Sequence, residues 1–293
     1  MLSSLPPLLE LARRKKFAIP AFNVTNLETA QAVLAAAVSQ RSPVILQASE
    51  SALAYAGDDV LLRLMELVAD RKARSVPVVT HLDHGKHLPI VRRCIMLGFK
   101  SVHMDASARP WSENIAVTKQ AVRLGHARHI AVQGELGALL GHEGMTGKNF
   151  SRKDIERLMT DPSRAADFVR RTGIDALAVA VGTAHGAFRG MEKIDFKRLL
   201  AIYRTTKVPL VLHGGSGVAD REIRKAIAVG GIRIINLDTT LRLQFVSGLA
   251  KSVASFDPKA KVDLRAYLTV ARTKMELEAA RLIKLLGSAG KAR

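Results

Sequence analysis

The 293 residues, 48% of them hydrophobic, can bury a large core as one big domain or two small ones. The single cysteine, Cys94, excludes an internal disulfide and a cysteine-rich metal cage, so any metal must be held by His, Asp or Glu. With 45 Lys and Arg against 26 Asp and Glu the formal charge is +19, which favours anionic partners. Yet the clusters "RRKK" and "RKAR" and the pairs Arg92, Arg93 and Arg170, Arg171 are scattered, without the interleaved aromatics of a base-stacking surface, so a solvated basic surface is expected in preference to nucleic-acid binding.

In chain order, the opening "MLSSLPPLLELARRKK" places its charges after its apolar part, unlike a secretory signal, and no apolar run reaches about 18 residues. A soluble cytoplasmic protein without membrane attachment is expected. Eight short apolar runs follow: "FAIPAFN", "PVILQAS", "VPVVTHLDH", "KSVHMDA", "HIAVQGE", "DALAVAVGTAH", "VPLVLHG" and "IRIINLD". Between them lie stretches of helical periodicity such as "NLETAQAVLAAAVSQ" and "DDVLLRLMELVADRKA", with Asn or Asp placed to cap. Eight alternating units predict an α/β fold, a (β/α)8 TIM barrel occupying 1–293 as a single domain with a C-terminal helical extension. A doubly wound open sheet is the runner-up, but no G-x-G-x-x-G follows the first strand.

Nearly every run ends on a group capable of chemistry: Asn23, Ser49, Asp83 with His84, Asp105, Glu135, His185, His213, and Asn236 with Asp238. In such a barrel the carboxyl ends of the strands converge on one mouth. One polar strand end is an ordinary helix cap; eight together point to a site. His84, His185 and His213 end the third, sixth and seventh runs, each before a glycine that lets backbone and substrate come close, and three imidazoles are a catalytic zinc set. Asp83, beside a ligand, suits a general acid or base, provided the strand ends there, since alternation would otherwise send the two side chains to opposite faces. His81 reads as a supporting or core residue, while His87, His103, His126, His129 and His142 lack the repeated context. After strands seven and eight, "VLHGGSG" and "INLDTT" offer backbone N–H groups to a phosphate.

The motifs "IPAFNVTNLETAQAV", "LDHG", "GELG", "GTAHG", "PLVLHGGSG" and "GSAGKA", in that order, resemble the class II, zinc-dependent ketose-bisphosphate aldolases over nearly the whole chain. The resemblance implies Zn2+ on His84, His185 and His213, with Asp83 exchanging a proton with the hydroxyl beside the bond that breaks. Asp105 and Glu135 match an alternative metal position or supporting residues. Glu143, in the loop "GHEGMTG", matches the proton carrier for the dihydroxyacetone phosphate carbon. Asn23, Ser49, Gly186, Gly214, Gly215, Ser216, Asn236, Asp238 and Thr239 match positions around substrate and phosphate, where a monovalent cation is a further expectation. The implied reaction is reversible cleavage of fructose 1,6-bisphosphate, with tagatose 1,6-bisphosphate as alternative, by a homodimer or homotetramer. Leu140, His142 and Gly144 in the loop, together with Ser51, Gln133 and Ile234, depart from the family pattern and bear on substrate and turnover. A basic anion- or RNA-binding protein on this scaffold is the competing reading.

Overall fold

The computed structural model describes residues 1–138, 156–183, 193–229, 231–254, 257 and 262–292. Each apolar run supplies a strand: β1 (Ile19–Asn23), β2 (Val44–Ser49), β3 (Val78–Gly85), β4 (Ser101–Met104), β5 (Ala131–Leu136), β6 (Ala176–Val179), β7 (Leu210–Leu212) and β8 (Ile232–Leu237). Neighbours in sequence pair in parallel, and β8 returns to β1 with Ile234 opposite Ile19 and Asn236 opposite Ala21. The sheet is therefore a closed eight-stranded barrel, and the open-sheet alternative is excluded.

Helices α1 (Leu5–Lys15), α2 (Leu27–Ser39), α3 (Glu50–Ala56), α4 (Asp58–Lys72), α5 (Leu88–Leu97), α6 (Trp111–His126), α7 (Pro162–Thr172), α8 (Phe196–Thr205), α9 (Asp220–Val229), α10 (Thr239–Val253) and α11 (Leu264–Leu285) are also among the described elements. Their starts follow local chemistry. Asn26 accepts from the Thr29 amide while the Thr29 hydroxyl accepts from the Asn26 amide, a reciprocal cap that fixes where β1 gives way to α2 and contributes about 1 kcal/mol. Asp161 and Asp195 cap α7 and α8 one-sidedly, their carboxylates accepting from the Ser163 and Arg198 amides. None of the described helices is long and apolar enough to cross a membrane.

Strand alternation builds two cores. Phe22, Leu46, Leu82, Val102, Val132, Leu177, Leu212 and Ile235 point outward and pack beneath the helices, each buried side chain contributing about 1.5–3 kcal/mol before entropy is counted. Ile19, Ala21, Ile45, Val79, Ala131, Ala176, Ala178, Val211 and Ile234 form the second core together with Leu5, Leu8, Leu9 and Ala12 of α1. Helix α1 thus plugs the barrel at the amino end of its strands. Further along the same inward faces the residues turn polar: first Gln47, His81, Ser101, His103 and Gln133, then Asn23, Asp83, Asp105, Glu135, His213 and Asn236. The carboxyl mouth therefore rests on a buried polar layer, which in turn rests on an apolar one.

Candidate active site

At the end of β3 the backbone resolves how two adjacent side chains serve one site. Pairing between β3 and β4 shifts register between Leu82 and Gly85, and His84 adopts a left-handed φ of 49°. That conformation is unfavourable for a residue with a Cβ, and it breaks the alternation so that Asp83 and His84 share the mouth, Nε2 lying 3.8 Å from Oδ1. Gly85 is explained by packing. A Cβ there would lie 2.6 Å from Val91 Cγ2 and 2.8 Å from the His103 carbonyl oxygen, so β3 can approach β4 and α5 only without a side chain.

Asp83 is held by amides. Asn23 Nδ2 donates to Oδ2 at 2.8 Å, Gln47 Nε2 reaches the same oxygen at 3.3 Å and donates to Asn23 Oδ1 at 2.6 Å, and Asn236 Nδ2 donates to Oδ1 at 3.2 Å. Burial alone would push this carboxyl upward, but the His84 charge and the Asn23 hydrogen bond outweigh it and hold its pKa below the usual value. The result is an ionised carboxylate whose orientation is fixed from three strands. It can take up a proton without first rearranging.

Around His84 the acids dominate. Its Nδ1 lies 2.8 Å from Asp105 Oδ2 and 3.6 Å from Glu135 Oε2, while Asp105 also accepts from the Ser107 amide and hydroxyl. Burial opposes a charge on the imidazole, yet Asp83, Asp105 and Glu135 together raise it to about 10. Asp105 is correspondingly lowered, against burial, by its hydrogen bond from His84, whereas burial and the Asp105 charge raise Glu135 well above the ordinary carboxylate range. A site that draws a proton onto a largely buried imidazole is one that attracts positive charge, and a divalent cation meets the same demand. The donor chemistry fits: Asp83, His84, His103 and His213 each offer one ligand atom within 4.8 Å of the others, and His84, Asp105 and Glu135 form a second such group.

His213 follows β7 directly and is fully buried, its carbonyl accepting from the Thr183 hydroxyl and its ring lying 4.4 Å from that of His84. Asn236 Nδ2 stands 3.3 Å from His213 Nδ1, so one amide touches both Asp83 and His213. Beyond His213, Gly214 takes a left-handed φ of 69° and Gly215–Gly217 form a 3-10 turn tied to the start of α10, where the Thr240 amide donates to Ser216 Oγ at 3.3 Å. Asp238, at the cap position of α10, pairs with Arg242 at 2.6 Å, and Thr239 opens the helix. Ser49 pairs with Asp83 in strand register and also caps α3, accepting from the Ala52 amide while its hydroxyl lies 2.9 Å from that of Ser51. Ile234, one layer deeper than Asn236 on β8, belongs to the apolar plug. Leu140, His142, Glu143, Gly144, His185 and Gly186 lie outside the described residues. β6 ends at Val179, six positions before His185.

Two inward residues escaped motif reading. Gln47 lies two positions before Ser49, and His103 two before Asp105; period-two alternation places each on the inward face of its strand. His103 is fully buried, with ring centroids 4.8 Å from His84 and 5.3 Å from His213. His81, also on this layer, bonds Ser101 Oγ through Nδ1 at 3.0 Å.

A closed (β/α)8 barrel whose carboxyl mouth gathers buried imidazoles, carboxylates and amides defines a barrel enzyme. The family model for fructose-bisphosphate aldolase class-II matches residues 3–291. The fructose-bisphosphate aldolase of Geobacillus stearothermophilus is 36% identical over 293 residues, with 99% of each chain covered, and that of Helicobacter pylori strain J99 is 34% identical, with 96% of each covered. The crystal structure of the YdjI aldolase from Escherichia coli K12 superposes with a TM-score of 0.85 at 32% identity, covering 100% of both chains. The chain belongs to the class-II fructose-bisphosphate aldolase family, and so is an aldolase, a carbon–carbon lyase.

Proposed function

We propose that the chain cleaves a ketose 1,6-bisphosphate, fructose 1,6-bisphosphate in preference to tagatose 1,6-bisphosphate, to dihydroxyacetone phosphate and glyceraldehyde 3-phosphate, with zinc as cofactor. The observation that carries this reading is the convergence of Asp83, His84 and His213 from β3 and β7, each offering a ligand atom within 4.8 Å of the others. With His185 as the third imidazole, a bound zinc ion supplies the positive charge that the electron pair released by carbon–carbon cleavage requires.

The protein's own groups do the rest. Asp83, its carboxylate fixed by Asn23, Gln47 and Asn236, takes the proton of the C4 hydroxyl. The oxygen's electrons then form the aldehyde carbonyl, the C3–C4 bond breaks, and its pair passes into the enediolate of the three-carbon fragment. Glu143 returns a proton to C3, giving dihydroxyacetone phosphate. Gly214, Gly215 and Ser216, with Asn236, Asp238, Thr239 and Gly186, surround the phosphate, where the 3-10 turn and the first turn of α10 lie side by side and the helix start favours negative charge. Condensation runs the same steps in reverse. Removing zinc by chelation should abolish dihydroxyacetone phosphate release from both sugars, and zinc should restore it, with the larger kcat/KM on fructose 1,6-bisphosphate. Undiminished cleavage by metal-free protein overturns the metal mechanism, and a higher kcat/KM on the tagatose sugar overturns the preference.

A further inference from the structure

Among the buried polar groups of the mouth, His103 lacks an ordinary structural explanation. It is fully buried on β4, and neither ring nitrogen has a hydrogen-bond partner among the described residues. Burying an imidazole so costs free energy unless something else meets its lone pair. His81, one strand away, shows the usual arrangement, with Nδ1 bonded to Ser101 Oγ. Around His103 stand donors to a cation instead. Its ring centroid lies 4.8 Å from His84 and 5.3 Å from His213, and those two lie 4.4 Å apart, so three imidazoles border one small volume. A tetrahedral zinc ion with bonds of about 2.0–2.1 Å sets its donors about 3.4 Å apart, so atoms already within 4.8 Å reach coordination by roughly an ångström of side-chain adjustment. Glu135 Oε2 lies 3.3 Å from His103 Nε2, so a carboxyl group borders the same volume.

We propose that His103 is a metal ligand, completing with His84 and His213 a three-imidazole position for a divalent cation such as zinc or cobalt. Alternation along β4 places His103 one residue layer below Asp105, so this position lies beneath Asp105 in the barrel. The two positions share His84 and His213 and differ in their third imidazole. This inference rests on reading the mouth as a metal site, and its consequence is that the chain retains its ion without His185.

The test uses the full-length chain loaded with Co2+ or Zn2+ and no substrate. Metal content, the visible ligand-field spectrum of Co2+, the imidazole count from X-ray absorption and the zinc dissociation constant from chelator competition are compared in wild type, His103→Gln, His103→Leu and His185→Ala. His185→Ala is expected to keep about one equivalent of metal with three imidazoles. The His103 variants should show an altered Co2+ spectrum and a dissociation constant raised at least about tenfold, the range seen when groups supporting a metal are lost. Wild-type spectrum and affinity in a folded His103 variant overturn the proposal, and so does loss of metal or of a third imidazole in His185→Ala, a result that stands even if both His103 variants fail to fold. Wild-type protein that takes up neither ion refutes the metal reading itself, a distinct outcome.

Discussion

Substituting Gly85 by alanine isolates the close packing that brings Asp83, His84 and His103 together. The added Cβ would meet Val91 Cγ2 at 2.6 Å, the His103 carbonyl oxygen at 2.8 Å and Leu82 Cδ2 at 2.8 Å, where carbon atoms normally rest about 3.5–4.0 Å apart. Val91 and Leu82 are fully buried, and the third obstacle is main chain of the neighbouring strand, so relief requires β3 and β4 to separate by roughly an ångström. Overpacking of this kind costs about 1–3 kcal/mol, offset by some 0.4–1 kcal/mol from the less flexible unfolded chain. With about 2–4 °C per kcal/mol for a chain approaching this size, a net loss of up to about 2.6 kcal/mol should lower Tm by up to roughly 10 °C, read by circular dichroism or calorimetry. Cleavage should suffer more than stability. A misplacement of about 1 Å costs up to about 10²-fold in rate, so kcat measured well below Tm should drop by one to two orders of magnitude in fully folded protein. A Gly85→Ala variant with unchanged Tm and kcat within twofold of wild type would refute the claim that crowding at this residue sets the geometry of the mouth.

Asp83→Ala should lose about 10²- to 10⁴-fold in turnover while keeping its metal; metal loss measured by atomic absorption would reassign Asp83 as a ligand. Glu143→Ala should lower turnover strongly, leave metal content intact and slow exchange of the dihydroxyacetone phosphate proton with solvent, a half-reaction that needs no aldehyde; exchange at the wild-type rate would assign the step to another group, His142 being the first to examine. Burial holds the His81 imidazole down, to about 4, so the unfolded chain binds the extra proton between roughly pH 6.5 and 4 and the metal-free fold loses stability as pH falls through that window. His81→Gln should flatten the urea-derived stability slope there by about one proton, about 1.4 kcal/mol per pH unit, and an unchanged slope would show that His81 does not titrate in this way.

The barrel was legible because its signal is redundant: eight runs of branched residues, each ending on a polar group, leave little else for alternating strand and helix patterns to build. Asp83, His84 and His213 stood out for the same reason, since motif and strand end coincide. His103 did not, because nothing follows it that resembles "DHG"; only counting two residues back from Asp105 puts it on the inward face. The left-handed turn at His84 was legible only as a condition, that β3 must end there, because a register shift is made by contacts between strands and leaves no mark of its own in one of them. At Gly85 the expected close approach is one of backbone: the space a Cβ would need is taken by Val91 and the His103 main chain. The amide clamp on Asp83 joins residues 23, 47, 83 and 236, a spacing that only barrel closure brings together.

Helix α1, packed across the amino end of the barrel, has a consequence for traffic. With Leu5, Leu8, Leu9 and Ala12 filling the floor, the polar interior is a cul-de-sac, and everything that reaches Asp83 or the imidazoles must come and go through the carboxyl mouth. The sugar, aldehyde, solvent protons and metal of the proposed reaction would therefore share one doorway. On the function proposed above, a bisphosphate standing in that doorway would bar a chelator from an ion beneath it, so the fold would make retention of the metal depend on how often the site is full.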